Sequence, residues 1–322
     1  MARPPKSASI AVPRAGQPKP RPPAAKLSAA MPCDTAFRIV ARRCLDNLNA
    51  NHEATCQGDA QALHQMRIAL THLRAAILFF SPMVDDSVRD ELRVELKWLN
   101  GELGALRDLD VAIEGIEAAS PKRPQALPDL RVWRQKRAEG HRQLSRSLRS
   151  ARYRRLITRI SSWIESGPWS TNGAKQAAKR RAIPIGTYGA EKLAEWEQKL
   201  IEKSRKLRDL GARKRHRLRL LNKKLNYSIE SISELFADQR LSKQKTAMKH
   251  LRRAQRSLGR LNDNVRGRAL ALELHRQGVE TPAQFLDGKR EKRLLRTTEA
   301  AYRKLAAERA VRLNLSRTPQ SN

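Results

Sequence analysis

Apolar residues recur at helical spacing through most of the chain. Between residues 63 and 77 they follow one another at steps of three and four, so they occupy one stripe of a helix. The stripe consists of Leu63, Met66, Leu70, Leu73 and Ile77. A second stripe with the same spacing runs from Val88 to Leu106. Because alternation with a period of two persists nowhere in the sequence, the pattern predicts an all-α protein.

Turn and capping residues divide this pattern into elements. Ser81-Pro82 ends one helix, and Asp85-Asp86-Ser87 offers side chains that can cap the next. Three prolines between residues 121 and 128 mark a loop. A stretch rich in Gly, Pro, Ser and Asn, followed by a basic cluster, predicts a linker at 166–190. Further helices are predicted over 129–150, 152–165, 190–209, 212–236, 240–258, 260–277 and 287–312.

Two helical phrases occur twice. HQMRI at 64–68 corresponds to HRLRL at 216–220, and LGALRD at 103–108 corresponds to LGRLND at 258–263. The offsets are 152 and 155 residues, so the spacing between the two phrases differs by only three residues between the halves. A duplicated helical unit of this length predicts two antiparallel four-helix bundles related by an approximate two-fold axis.

The repeat also predicts the domain boundaries. The first bundle is expected over 33–165 and the second over 191–312. Residues 1–32 contain Pro, Ala, Lys and Arg but no acidic residue, and they predict a disordered tail, as do residues 313–322. The N-terminal tail is interpreted either as a solubilising leader or as a polycationic arm that binds a polyanion.

Charge narrows the range of partners. The 322 residues include 66 Lys and Arg against 32 Asp and Glu, a formal net charge of +34. A chain this basic repels itself unless a polyanion neutralises it, which predicts nucleic acid, an anionic membrane face or polyphosphate as the partner. Aromatic residues make up only 4%, which disfavours stacking on nucleic-acid bases and leaves contact with phosphates open.

Basic residues lie beside the apolar stripe in both copies of the first motif, on a helix that turns about 100° per residue. In the first copy this flank carries His64, Arg67, Thr71 and Arg74. In the second copy it carries His216, Arg219, Lys223 and Asn226. His72 and Lys224 are expected on the opposite, more exposed side. Such a flank is usually a solvated surface, but its recurrence in a strongly basic chain favours binding.

The next helix of each half shows the same design. The flank carries Arg93, Lys97, Gly104 and Arg107 in the first half, and Lys249, Arg252, Arg256 and Gly259 in the second. Basic flanks on successive helices predict a groove whose arginines fit phosphate oxygens with two hydrogen bonds. The matching glycines indicate close approach of a neighbouring helix or a ligand, or a break in the helix.

Other motifs argue against an enzyme and against a metal cofactor. The three cysteines, Cys33, Cys44 and Cys56, form no CxxC pair, so they predict reduced thiols and no zinc site. No P-loop, HExxH motif or carboxylate cluster is present. Asp108 and Asp263 recur in the second phrase and are interpreted as carboxylates that hold a neighbouring Arg or Lys, rather than as metal ligands.

The N-terminus has no apolar leader segment, and the longest apolar run, residues 75–80, is too short to cross a bilayer. The sequence therefore predicts a cytoplasmic protein without a membrane span.

These phrases resemble the CHAD domain, the conserved histidine α-helical domain. The resemblance rests on residues 64–74 and 95–110 in the first half and on 216–227 and 258–263 in the second, and it covers about residues 34–312. It implies two four-helix bundles with a basic central groove, binding of inorganic polyphosphate, and association with polyphosphate granules and their other proteins. Many relatives carry a triphosphate tunnel domain marked by Glu-x-Glu-x-Lys, which is absent here, so hydrolysis is not implied.

The resemblance assigns the family's basic positions to residues of this sequence, and Arg256 is added from the later flank. Together they form the predicted set of polyphosphate-binding residues. They are His64, Arg67, Arg74, Lys97, Arg107, His216, Arg219, Lys223, Lys224, Arg252 and Arg256. The chain departs from the pattern at Thr71, His72, Asn226 and Asn262, where basic residues are common. The alternative function is nonspecific nucleic-acid binding through the basic N-terminal tail.

Overall fold

The computed structural model describes residues 26–119, 130–171, 175–236, 241–276 and 288–315. Across these ranges the chain is helical and contains no strand, which confirms the predicted all-α class; a single antiparallel bridge joins Pro32 and Pro184. The helices are α1 (Cys33–Ala50), α2 (His52–Gln57), α3 (Ala60–Phe79), α4 (Ser87–Ala119), α5 (Leu130–Arg149), α6 (Ala151–Ser166), α7 (Lys175–Ala182), α8 (Ile185–Ser204), α9 (Ala212–Ser231), α10 (Leu241–Arg276) and α11 (Gly288–Leu315).

Most helices follow the predicted limits, but α10 does not. The sequence predicts one helix over 240–258 and another over 260–277, whereas α10 is continuous from Leu241 to Arg276. Gly259 lies inside it, and one interior glycine costs only about 1 kcal/mol. Burial of Leu258 beside it, as part of the apolar stripe, offsets that cost. The prediction of a helix break at this glycine is therefore wrong.

One hydrophobic core extends through both halves of the chain. In α3 the predicted stripe is buried, and Met66 and Leu73 have no exposed surface. Leu218 of α9 and Leu258 of α10 belong to the same cluster. Three pairs of helices join the halves, namely α3 with α9, α4 with α10 and α1 with α8. The predicted division into two four-helix bundles stays a prediction, because the core does not separate at the linker.

Short segments outside the predicted bundles also pack. Residues 26–32, which the sequence assigns to the disordered tail, hold Leu27 at 6% exposure, and its N–H donates to Glu234 at 2.9 Å. The Met31 carbonyl accepts from the N–H of Ile185 at 2.8 Å. The predicted linker contains α7 and the start of α8, and α11 continues to Leu315. Residues 1–25 and 316–322 of the predicted tails lie outside the described residues.

The start of α4 is held to α6 and to the turn that follows it. Asp86 accepts from the backbone N–H of Arg89 at 2.7 Å, which confirms the capping residue expected from the sequence. The same carboxylate accepts from the indole N–H of Trp163 at 3.0 Å and from the backbone N–H of Trp169 at 3.0 Å. Both indole rings pack against Phe37 of α1. No helix in the described chain carries an apolar stretch long enough to cross a membrane.

Candidate functional site

The two copies of the first motif meet where α3 packs against α9. The electrostatic surroundings of Tyr227 in α9 include groups from both copies. Burial raises the pKa of the Tyr227 phenol and Glu230 adds to the increase, while the positive charges of Arg219 and Arg67 act in the opposite direction. An arginine from each copy of the repeat therefore lies close to the same phenol. The basic flanks of the two halves form one region rather than two separate surfaces.

A groove of about 1090 Å³ opens between α3, α4 and α9. Its basic lining residues come from both halves of the repeat and include four of the predicted binding residues. They are Arg74, Arg89, Arg93, Lys97, Arg217, Lys223 and Lys224. Asp90 is the one carboxylate among the described lining residues, and it is paired with Arg93 at 3.2 Å. The groove therefore carries a strong excess of positive charge.

The same groove contains exposed aliphatic side chains, which the sequence pattern did not single out. Leu78, Val94 and Leu220 are 47%, 63% and 49% exposed, and all three line the groove. Scattered exposed aliphatic residues are common, but three in one basic groove give it a mixed character. A ligand that fills the groove contacts both cationic groups and apolar surface.

Arg67 is held in place beside α4. Its Nη1 donates to the Leu103 carbonyl at 3.0 Å. A methyl group added at Gly104 would lie 3.2 Å from this nitrogen, so the glycine leaves the space that the guanidinium occupies. The sequence left open whether Gly104 allows close approach of a helix or a ligand, or breaks its own helix. The structure shows close approach of the neighbouring helix α3 through its Arg67 side chain. The matching Gly259 has open space around it.

This contrast predicts different effects for the same substitution in the two halves. Gly259→Ala is expected to raise the free energy of unfolding by about 0.5–1 kcal/mol, because alanine favours the helix. Gly104→Ala is expected to gain less stability than Gly259→Ala. It is also expected to weaken anion binding, because the Arg67 side chain must move. Urea unfolding and anion titration of both variants measure these effects. Equal behaviour of the two variants would contradict this role for Gly104.

His64 lies next to Arg67 and Arg107, as the sequence predicts. Burial lowers the pKa of its imidazole, and the charges of Arg107 and Arg67 lower it further against the opposing effect of Glu114. Arg107 is itself paired with Glu114 at 2.7 Å. An anion bound at this cluster competes with Glu114 for Arg107 and favours protonation of His64.

The second copy of the motif lines a separate pocket of about 650 Å³ beside α10. His216 and Arg219 both line it, as does Asn262, which stands where the first half has Arg107. Arg217 lines this pocket and also the groove, so the two cavities are adjacent. Arg217 was missed as a site residue, although its position inside the repeated phrase marks it. Together the groove and the pocket are called the basic channel below.

Five predicted residues line neither the groove nor the pocket: the cluster of His64, Arg67 and Arg107 described above, and Arg252 and Arg256 of α10. Arg252 is exposed and pairs with Glu230 at 3.1 Å, and Arg256 is exposed one turn further along α10. Glu230 also lies 3.6 Å from His72, which is half-buried and not exposed as expected. The structure thus surrounds Glu230 with basic side chains from α3 and α10.

Lys224 lines the groove but is half-buried, and the expectation of an exposed side chain is wrong. Its ammonium lies 3.5 Å from the ring centroid of Trp196, a cation–π contact. Burial lowers the pKa of Lys224 to about 8, with further lowering by Lys192 and Lys199 and an opposing effect of Glu195. Sequence spacing could not reveal this, because Trp196 belongs to a different helix.

The recurring carboxylate Asp108 influences Asp263 across the two halves. Burial raises the pKa of Asp263, and Asp108 raises it further, while Arg219 and Lys223 act in the opposite direction. Asp263 therefore lies among basic residues of α9, in agreement with its interpretation as a residue that holds cationic side chains.

These features define an all-helical, internally duplicated protein with a basic channel where its halves meet. Residues 39–272 match the sequence profile of the CHAD domain family, and the chain belongs to that family. It is similar to the crystal structure of the CHAD domain from the plant Ricinus communis, with 25% identity and a TM-score of 0.66. That match covers 92% of this chain and 96% of the other.

A second solved structure, PptA from Streptomyces chartreusis, has a TM-score of 0.57 and 15% identity over 87% of this chain and 97% of its own. At this identity the likeness supports the fold alone. No curated protein sequence matches the chain.

Proposed function

We propose that the chain binds inorganic polyphosphate in the basic channel and acts as a binding module rather than an enzyme. The observation that carries this proposal is that basic residues from both copies of the repeat line one groove. Arg74 and Lys97 come from the first half, and Lys223 and Lys224 from the second. Association with polyphosphate granules and their proteins in the cytoplasm is part of the same proposal.

The chemistry of the channel suits a chain of phosphates. Guanidinium groups bind phosphate oxygens through pairs of hydrogen bonds, and lysines add point charges. Polyphosphate has no bases, so it needs no aromatic stacking surface, and only 4% of the residues are aromatic. Each contacted phosphate releases counterions, and by analogy with single-stranded nucleic acid the log–log salt slope is about −0.7 per contact.

Competition between polyanions tests the proposal. Labelled long-chain polyphosphate is titrated with the protein at roughly 150 mM salt, where weak surface attraction is screened. Duplex DNA and RNA compete at matched phosphate concentration. Strong preference for polyphosphate supports the channel as its site. Equal or stronger binding of nucleic acid would mean that the charge of +34 acts nonspecifically.

Nucleic-acid binding through the N-terminal tail is the alternative, and truncation separates it from channel binding. The truncation should remove residues 1–25 only, because Leu27 is buried in the core. If the tail binds nucleic acid, the truncated protein loses that activity and keeps its affinity for polyphosphate. Loss of polyphosphate binding in the truncated protein would move the proposed site to the tail.

Affinity for polyphosphate is expected to increase as the pH falls below about 6.5, because a bound anion favours protonated imidazole. The pKa of His64 is lowered in the free protein, so the increase continues to more acidic pH before it levels off. Titrations of long-chain polyphosphate, in which few phosphates are terminal, measure this dependence. His64→Gln should reduce it and the control His141→Gln should not. An affinity independent of pH in the parent protein would exclude His64 as a contact.

A further inference from the structure

A second cluster of chemically active side chains lies on α2, apart from the basic channel. His52, Glu53 and Cys56 each offer one potential ligand atom, and these atoms all lie within 4.8 Å of one another. His52 and Cys56 are four residues apart, so they share one face of the helix. Their Nε2 and Sγ atoms are 3.8 Å apart.

These distances fit a tetrahedral zinc ion. Zn–N bonds of about 2.0–2.1 Å and Zn–S bonds of about 2.3 Å place the two ligand atoms about 3.6 Å apart. The observed separation of 3.8 Å between Nε2 of His52 and Sγ of Cys56 is close to that value. Glu53 is exposed, and one of its carboxylate oxygens lies within 4.8 Å of both atoms. All three residue types are common zinc ligands.

The surroundings of Cys56 provide a second, independent observation. Cys56 is buried, and the ring of His52 stacks on Tyr153 at a centroid distance of 4.9 Å. The phenol ring of Tyr153 therefore lies directly beside the imidazole. The Tyr153 hydroxyl is buried and has no hydrogen-bond partner among the described residues. A buried polar group without a partner is costly, and an ion or its bound water would supply one.

We infer that His52, Glu53 and Cys56 form a binding site for Zn²⁺ or a similar divalent ion. Cys56 releases its thiol proton to solvent, and the sulfur bonds the ion as a thiolate. Two anionic ligands and a neutral imidazole then balance the two positive charges of zinc. The ligands come from one short helix, and the inference does not depend on polyphosphate binding.

Three existing contacts must yield when the ion binds. Nε2–H of His52 donates to the Leu148 carbonyl at 3.1 Å, so its proton must move to Nδ1 through solvent and the imidazole must turn away from that carbonyl. Glu53 pairs with Arg149 at 3.2 Å and accepts from the side-chain amide of Gln57 at 3.1 Å, but all three side chains are exposed and such contacts contribute little.

The other two cysteines serve as matched controls. Burial raises the pKa of the Cys33 and Cys44 thiols to about 12, and both side chains are buried in the core. Neither belongs to a cluster of ligand groups in the described part of the chain. Replacement of Cys44 should therefore leave zinc binding unchanged.

The test uses the reduced, full-length protein, freed of metal with a chelator and kept free of phosphate. Zinc is titrated in competition with a chromophoric chelator, and cobalt is titrated to observe the thiolate-to-cobalt charge-transfer absorption. One ion per chain is expected, with the cobalt band present. Cys56→Ala should remove the band and weaken zinc binding at least tenfold, and Cys44→Ala should change neither.

Exposed ligands keep the inference testable if Cys56→Ala does not fold. His52→Gln and Glu53→Gln change partly exposed side chains, and each is expected to weaken zinc binding at least tenfold, since even the loss of a group that only supports a ligand costs about 10–100-fold. Circular dichroism checks the fold of each variant. Absence of the cobalt band in the parent protein, its persistence in Cys56→Ala, or unchanged zinc affinity in His52→Gln would overturn the inference.

Discussion

The double substitution Arg67→Glu and Arg219→Glu is expected to abolish polyphosphate binding while the helical fold persists. The two arginines belong to different copies of the repeat and both act electrostatically on Tyr227, which lines the groove, so their replacement reverses charge beside the basic channel. Each charge-assisted hydrogen bond to phosphate contributes about 1.5–3 kcal/mol. Loss of two predicts a decrease in affinity of at least a hundredfold, since about 1.4 kcal/mol corresponds to a factor of ten.

The measurement is a titration with labelled polyphosphate at fixed salt, with circular dichroism to check helicity. Arg142→Glu with Arg146→Glu is the matched control, because both residues are exposed on α5 and the net charge falls from +34 to +30 in either variant. The milder pair Arg67→Gln with Arg219→Gln follows if the double glutamate variant does not fold. An equal loss in the control would show that only total charge matters, and unchanged binding would place the site elsewhere.

Asp86→Ala is expected to lower the free energy of unfolding by about 3–4 kcal/mol, the largest effect on stability. Its carboxylate accepts hydrogen bonds from the backbone of Arg89, the indole of Trp163 and the backbone of Trp169. The Trp163 ring is buried, so removal of the carboxylate leaves a donor without water or protein to accept from it. Helix α4 also loses its capping residue, at a typical cost of about 1 kcal/mol.

Urea unfolding compares this variant with Asp85→Ala. Asp85 is the adjacent carboxylate, its side chain is 69% exposed, and Arg89, its ion-pair partner at 2.8 Å, keeps a second partner in Asp90 at 3.1 Å. Such a pair contributes about 0–1 kcal/mol, so the control should unfold almost as the parent protein does. If both variants lose the same stability, the link between α4 and the two tryptophans contributes less than the hydrogen bonds indicate.

Much of the fold could be predicted because it depends on local patterns. The stripe containing Met66 and Leu73 is buried as expected, since an apolar face of a helix must leave water. Asp86 caps α4 because a short acidic side chain satisfies free N–H groups at a helix start. The helix boundary predicted at Gly259 is wrong, since packing of α10 outweighs the low helix propensity of a single residue.

The candidate site was predicted only in part. The basic flanks predicted on successive helices do come together, since Arg67 and Arg107 both act on His64, while their binding of polyphosphate stays a prediction. The predicted set also included Arg252, which pairs with Glu230 outside the channel. The absence of a CxxC pair indicated no zinc site, but His52 and Cys56 are four residues apart on one helix. Side chains at that separation share a face and can reach one ion.

Periodicity and charge are properties of neighbouring residues, so the helical class, the duplication and the basic flanks follow from the amino-acid sequence. The contact of α3 with α9, which lets Arg67 and Arg219 act on one phenol, appears only in the folded chain. The folded chain also shows that Gly104 leaves room for the Arg67 guanidinium, whereas Gly259 has open space around it. The Lys224 ammonium lies over the Trp196 ring. These contacts depend on how helices cross, and crossing is set by side-chain packing between distant segments, which no local pattern contains.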